Sequence, residues 1–426
     1  MAAIKEESGD KQKQQEENNE IEVYAGIDTH KDVNVLCVVD SRGEKVAQGR
    51  FGTDAPGLAA LEQTVASAGR CVRVCVEGTL SYGRGIADLL AGAGYDVREA
   101  IAPGPRPYSP GGKSDAGDAW AAAMTALTCS CRDEPKRLDG PSEELSALTR
   151  ARESAVKECT RLDLALQGMA ACAAAPLREA LAGLGGRRLA DAVDALEDEA
   201  PAGVLIGLKS MAALWRAAAA ERDALERAMA PVAREHYAPL LGAKGVGVVQ
   251  AAILAASAGA NPSRFGSEAA FARHCGAAPL EASSGKVQRH RLSRRGDRLV
   301  NRALHQIALV RKAHDPRTKA YVAKKTAEGK SPREALRCLV RYIAREIYRL
   351  LLQCEAGASG APDGPKLKEA RRGLGITQRQ AGEALGASAR KVSVIERGVA
   401  FDAEFAVRYE AWLQEQENLK KEGLQI

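Results

Sequence analysis

The chain has 426 residues, enough for two or more domains that each bury a core. Hydrophobic residues make up 45% of it, and no apolar run reaches the roughly 18 residues of a membrane helix, so no membrane partner is expected. The net charge of +6 hides an asymmetry: Lys286 to Arg349 carries 19 Lys/Arg against 5 Asp/Glu, while the rest is acidic. A basic block in a folded region points to a polyanion, with a solvated helical face as the plainer alternative. Aromatics are only 4%, so such binding would rest on phosphates more than on base stacking.

Residues 1–20 are charged and polar with no apolar h-region. They read as a disordered tail, neither a signal peptide nor a folded element. Residues 21–140 then read as an α/β domain. "IEVYAGID", "VNVLCVVD" and "VAQGRF" are strands, the last two split by the turn "SRGEK". "ALEQTVASAG" is helical, "CVRVCVE" is a buried strand ending at Glu77, "LSYGRGIADLLAGAG" is a helix and "YDVREAIA" a strand. Three consecutive strands followed by helix–strand alternation predict a mixed sheet. After a Gly/Pro loop from Gly104 to Gly112, "SDAGDAWAAAMTAL" starts a helix with Ser114 as N-cap.

From 141 to 235 alanine, leucine and charge dominate. Two long helices joined by a loop around 173–203 predict a helical hairpin or coiled coil, with an ordinary bundle as the alternative. Residues 236–354 begin with "LLGAKGVGVVQAAILAASAG". Lys244, Gly245 and Gly247 there resemble the hairpin of helix–hairpin–helix units, whose backbone N–H groups hold a phosphate; a simple tight turn reads the same way. A linker covers 355–365 and a small module 366–414. The ten cysteines include no CxxC pair, so a zinc site is not expected and reduced thiols are.

Four acids stand out by placement. Asp28 ends the first strand and Glu77 ends "CVRVCVE". Asp115 and Asp118, three apart on a helix, share a face. Converged in one cleft, four carboxylates would repel unless cations screened them. Two Mg²⁺ ions about 4 Å apart would do so and would support phosphoryl transfer. Taken singly, each acid also reads as a surface residue or cap.

"GIDTHKD", "VEGTLSYG" and "GKSDAGDA" resemble the three blocks of the RuvC-like DEDD domain of insertion-sequence-110 family transposases, a group similar to Piv-type DNA invertases. The stretch from "LLGAKGVGVV" through "LEASSG" to "LSRRGDRLVNRAL" resembles that family's serine-bearing domain. The order also agrees, over roughly residues 22–352. The resemblance implies an RNase H/RuvC-like mixed-sheet domain, a coiled-coil spacer and a mostly helical transposase domain. It implies that Asp28, Glu77, Asp115 and Asp118 bind Mg²⁺, and that Ser284 attacks a DNA phosphate to form a phosphoserine link. Ser283 carries the same hydroxyl, and only the motif favours Ser284. Lys286, Arg289, Arg291, Arg294 and Arg295 would hold the DNA backbone. The resemblance further implies a homo-oligomer (dimer or tetramer), with acidic and serine centres meeting across protomers, a structured bridge RNA as guide, and a bacterial cytoplasmic, nucleoid-associated location.

The tail adds something compact relatives of this kind lack. "LKEARRGLGITQRQAGEALGASARKVSVIERG" resembles a Cro/Xre helix–turn–helix, with Thr377-Gln378 starting the second helix and Gly386 at the turn. Ser388, Arg390, Lys391 and Ser393 would face the groove. Two rival readings fit the same residues: a RuvC-like nuclease or junction resolvase with no serine step, and a non-catalytic DNA-binding regulator.

Overall fold

The computed structural model describes residues 21–100, 114–129, 134–197, 200–281, 290–292, 296–359, 362, 364–397 and 402–421. It divides into two compact units, one ending at Lys136 and one starting at Arg137.

The first unit is α/β. Strands β1 (Glu22–Thr29), β2 (Val33–Asp40), β3 (Lys45–Gly52), β4 (Arg70–Val76) and β5 (Val97–Glu99) form one sheet in the order β3-β2-β1-β4-β5. The first three pair antiparallel, and β4 runs parallel to both β1 and β5. The sheet is therefore mixed, as the strand order in the sequence predicts. Helices α1 (Ala55–Ala68) and α2 (Arg84–Gly92) cover one face through a core that includes Ile27, Leu36, Val38, Leu61, Val65, Ile86 and Leu90. Helix α3 (Asp115–Leu127) packs on residues of opposite pleat, among them Val35, Cys37 and Val39. Alternate residues of β2 thus serve two cores, which is why "VNVLCVVD" is apolar throughout.

The second unit is helical apart from one short β-ribbon. Helices α4 (Gly140–Ala171) and α7 (Ala202–His236) are its long pair. On α7 the buried residues Leu205, Leu208, Ala212, Trp215 and Ala219 alternate at three- and four-residue steps, as a coiled-coil seam requires. Opposite them lie Cys159, Leu162, Leu166 and Ala170 of α4. The connection between the two is not a loop. It holds α5 (Ala175–Leu181) and α6 (Gly186–Asp194), whose Leu177, Leu181, Leu189, Ala190 and Val193 are buried against the pair. Each is only two turns or so long, too short for its apolar period to stand out in the sequence.

Helix α7 is, by length and composition alone, apolar enough to cross a membrane, although Lys209 and Arg216 interrupt any continuous apolar run. Its alanines produce that reading, and its leucine–tryptophan face is packed on α4.

Next come α8 (Ala238–Leu241), α9 (Val248–Ala258), α10 (Glu268–His274), the antiparallel ribbon β6 (Pro279–Glu281) with β7 (His290–Leu292), then α11 (Arg298–His314), α12 (Pro316–Ala327) and α13 (Pro332–Ser359). Helix α9 is buried on all sides and reads as uniformly apolar for that reason. It shares one core with Val300, Leu304 and Ile307 of α11 and with Ile343, Ile347 and Leu351 of α13. The last four helices, α14 (Gly364–Gly373), α15 (Gln378–Ala384), α16 (Ala389–Glu396) and α17 (Ala403–Lys421), enclose a separate core with Leu367, Val392, Ile395, Phe405 and Tyr409 at its centre.

Eight described cysteines carry free thiols, but Cys75 of β4 is disulfide-bonded, so the expectation of reduced cysteines fails there.

Candidate metal centre

Two strand ends and one helix start build the site. Ile27 of β1 pairs in parallel register with Val76 of β4, so Asp28 and Glu77 follow as the next residue on each strand. The Glu77 N–H donates to the Ile27 carbonyl (2.9 Å), and the Thr29 hydroxyl donates to the Glu77 carbonyl (2.8 Å). Helix α3 starts at Asp115, with Ser114 as its N-cap accepting from the Gly117 N–H at 3.2 Å.

Gly26 allows α3 to reach this place. A Cβ there would lie 2.6 Å from the backbone of Ala122 and closer still to Ala119 and Ala123. Ala119, Ala122, Ala123 and Ala126 form the buried face of α3. The run of alanines in "DAWAAAMTAL" is therefore a close helix-on-strand contact, and it fixes Asp115 and Asp118 near the end of β1.

The electrostatics show the convergence. Burial raises the pKa of Asp28, which is only 6% exposed; His30 opposes that shift, and the negative charges of Asp118 and Asp115 add to it. Asp28 thus lies within electrostatic reach of Asp115 and Asp118, and Glu77 follows β4 at the matching register position.

Two further residues enter that placement alone did not suggest. His30 Nε2 lies 3.2 Å from Asp28 Oδ2 and 3.4 Å from Asp115 Oδ1. Arg50 Nη1 lies 3.3 Å from Asp115 Oδ2. Asp28, Val35 and Arg50 stand in one row across β1, β2 and β3, and that register carries Arg50 to the site. His30 was within reach of the sequence, two residues past Asp28 in "GIDTHKD". Arg50 was not, because strand register is invisible without the turn geometry.

Asp28, His30 and Asp115 each offer one ligand atom, all within 4.8 Å of one another. Oxygen donors joined by one imidazole suit a divalent cation.

A family model described as "Transposase", for the IS110 DEDD transposases, matches residues 25–170. A second, described as "Transposase IS116/IS110/IS902 family", matches residues 237–323. Together they span more than half of the chain. The chain belongs to the IS110 family of transposases. No curated protein matches it.

The transposase's other sequence-predicted residues are placed as follows. Gly245 takes a left-handed φ of +81°, and a Cβ on it would press on the Ile307 carbonyl at 3.3 Å. Gly247 is the N-cap of α9, with its N–H directed at Gln250 Oε1 (3.3 Å). Lys244 Nζ pairs with Asp315 at 3.3 Å, and its carbonyl accepts from the buried Arg311, which also grips Glu346 through both terminal nitrogens. The turn is thus tied to α11 and α12, with its cation and one of its N–H groups already partnered.

In the C-terminal helices, Ser388 is the N-cap of α16, accepting from the Lys391 N–H at 3.1 Å. Lys391 Nζ pairs with Asp402 at 2.9 Å and lies over the Phe405 ring. Ser393 is half-buried, while Arg390 is exposed. Ser283, Ser284, Lys286, Arg289, Arg294 and Arg295 lie outside the described residues. Arg291 lies on β7, paired in register with Leu280.

Proposed function

We propose that this transposase cuts and rejoins DNA at a DEDD centre of Asp28, Glu77, Asp115 and Asp118 holding two Mg²⁺ ions, with Ser284 as nucleophile. The observation that carries the reading is the gathering of Asp28, Asp115 and Asp118 around one sheet end beside Glu77. Bound divalent ions would supply Lewis-acid polarisation of the scissile phosphate and stabilise charge on the departing oxygen. The chain's own residues set the geometry. Asp28 is held on a strand, Asp115 and Asp118 on a rigid helix start, and Arg50 orients the second oxygen of Asp115.

The serine step rests on the family resemblance. The Ser284 oxygen forms a bond to phosphorus as one phosphorus–sugar oxygen bond breaks. The serine proton passes to a base or water, and the departing sugar oxygen takes up a proton. Attack by a DNA hydroxyl then regenerates the serine and rejoins the strand. Lys286, Arg289, Arg291, Arg294 and Arg295 hold the flanking phosphates, and Lys244, Gly245 and Gly247 contribute a backbone contact.

The acting form in this proposal is a homo-oligomer, dimer or tetramer, in the bacterial cytoplasm on the nucleoid, guided by a bridge RNA. The C-terminal helices act as a Cro/Xre-like DNA reader. Gly382 supports that reading: the start of α16 crosses α15 so closely that a Cβ on Gly382 would lie 2.6 Å from the Ala387 carbonyl. Arg390 is its best-placed base or phosphate contact, since Ser388 and Lys391 already serve the module's own structure.

The test is a denaturation-resistant protein–DNA adduct formed under Mg²⁺ with co-purified nucleic acid. Ser284→Ala should abolish it, Ser283→Ala should retain it and Asp28→Asn should stop cleavage. Cleavage that persists in Ser284→Ala would favour a RuvC-like nuclease instead. Sequence-specific binding with no strand chemistry would favour a regulator.

A further inference from the structure

His30 brings a ring nitrogen between two carboxylates of the acidic centre. Its Nε2 is shielded from solvent and stands within ion-pair distance of both Asp28 and Asp115, although the His30 side chain as a whole is 45% exposed.

The spacing of these donors also fits a shared ion. Donor atoms that share one ion at about 2.1 Å lie roughly 3.0 Å apart at octahedral angles and roughly 3.4 Å apart at tetrahedral ones. His30 Nε2 stands 3.2 Å from Asp28 Oδ2 and 3.4 Å from Asp115 Oδ1, within that range on both sides. The chain also delivers these atoms from separate elements. Asp28 comes from β1, His30 from the turn into β2, and Asp115 from the first turn of α3.

We infer that His30 is a nitrogen ligand to a divalent cation held with Asp28 and Asp115, and that it biases this position toward Mn²⁺ over Mg²⁺. The inference rests on the DEDD reading above and sharpens it at one of the two ion positions. Mg²⁺ is a hard cation that favours all-oxygen shells, whereas Mn²⁺ accepts carboxylate and imidazole together. Arg50, on the far oxygen of Asp115, leaves the near oxygen to face His30.

The experiment uses the full chain with Mn²⁺ alone as probe. Pulsed EPR of the bound ion reads the ¹⁴N coupling of a coordinated imidazole, and replacement by ¹⁵N-labelled histidine identifies its source. The expected result is a histidine nitrogen coupling in the parent chain that disappears in both His30→Gln and His30→Asn. Since losing even an outer partner of a ligand costs about 10- to 100-fold in affinity, Mn²⁺ binding should weaken at least about 10-fold. Mg²⁺ binding should change much less. Mn²⁺ bound with no histidine coupling, or a coupling that survives both variants, overturns the inference and leaves the acidic centre standing. Mn²⁺ and Mg²⁺ affinities no better in the parent chain than in Asp28→Asn would overturn the DEDD reading and this inference together.

Discussion

Gly26 and Ala122 meet backbone to backbone, with no room between β1 and α3 for even one methyl group. The distances from Asp28 and His30 to Asp115 and Asp118 depend on that contact, because it sets how far the first turn of α3 stands from Asp28. Gly26→Ala should therefore separate strand from helix. Overpacking of this kind costs about 1–3 kcal/mol, and the first unit should melt earlier by that amount in urea. Mn²⁺ affinity should fall in the material that remains folded. Unchanged stability and unchanged metal affinity would show that α3 can shift without consequence, and that its contact with β1 does not position the acids.

Arg50 makes an opposite kind of prediction. Its side chain is 63% exposed and pairs only at the surface with Asp115. Exposed ion pairs contribute little, about 0–1 kcal/mol, so Arg50→Ala should barely alter the melting temperature. Its effect should instead appear in metal-dependent DNA cleavage, lowered about 10-fold through a misdirected Asp115. A variant with parental cleavage would make the pair incidental.

How much of this was legible beforehand follows from which residues act locally. The mixed sheet and its strand-end acids were readable because short, continuous apolar runs bounded by Gly-containing turns are short-range signals. Helical spacing placed Asp115 and Asp118 on one face, and the family resemblance assigned them to a metal site. Gly26 passed unnoticed because its meaning lies in a helix about ninety residues away, and Arg50 because it arrives by register across two strands. In the C-terminal module Lys391 reads as groove-facing from its place in the helix, yet its ammonium is taken up by Asp402. The connection between α4 and α7 read as a loop because its two helices are held by burial of a few leucines.

A buried knot in the second unit gives a further test. The Ser257 hydroxyl donates to Asp297 Oδ2 (2.7 Å) and lies 2.9 Å from His274 Nε2. Asp297 also caps α11, accepting from the Leu299 and Val300 N–H groups at 2.9 and 3.1 Å, and its own N–H donates to the His274 carbonyl. Ser257→Ala removes the shared hydroxyl and should cost about 1–3 kcal/mol. Asp297→Ala removes the cap as well, and should cost more by about 1 kcal/mol. Urea unfolding of the two variants gives the order, and a less stable Ser257→Ala would reverse the assignment of Asp297 as the hub.

The C-terminal module should be acid-sensitive through Glu396. That carboxylate is fully buried and joined to Arg371, Gln378 and Tyr409. Burial alone would push its pKa up, but those three donors outweigh it, and the group lies below the ordinary glutamate value. A carboxylate lowered in the folded state contributes stability that is complete above its unfolded pKa, about 4.3, and is lost as pH falls through the folded value. Amide-exchange protection factors across residues 364–421 of the full chain, corrected for the intrinsic pH dependence of exchange, should therefore be high at neutral pH and fall below about pH 4. Glu396→Gln should bring fast exchange to neutral pH, because it strands the Arg371 charge in the core at a cost of about 3–5 kcal/mol. Exchange in β1 and β4 should be the same in both proteins. Slow neutral-pH exchange in Glu396→Gln would mean that Phe405, Tyr409 and Ile395 hold the module without the ion pair, and the acid sensitivity would have to come from another carboxylate.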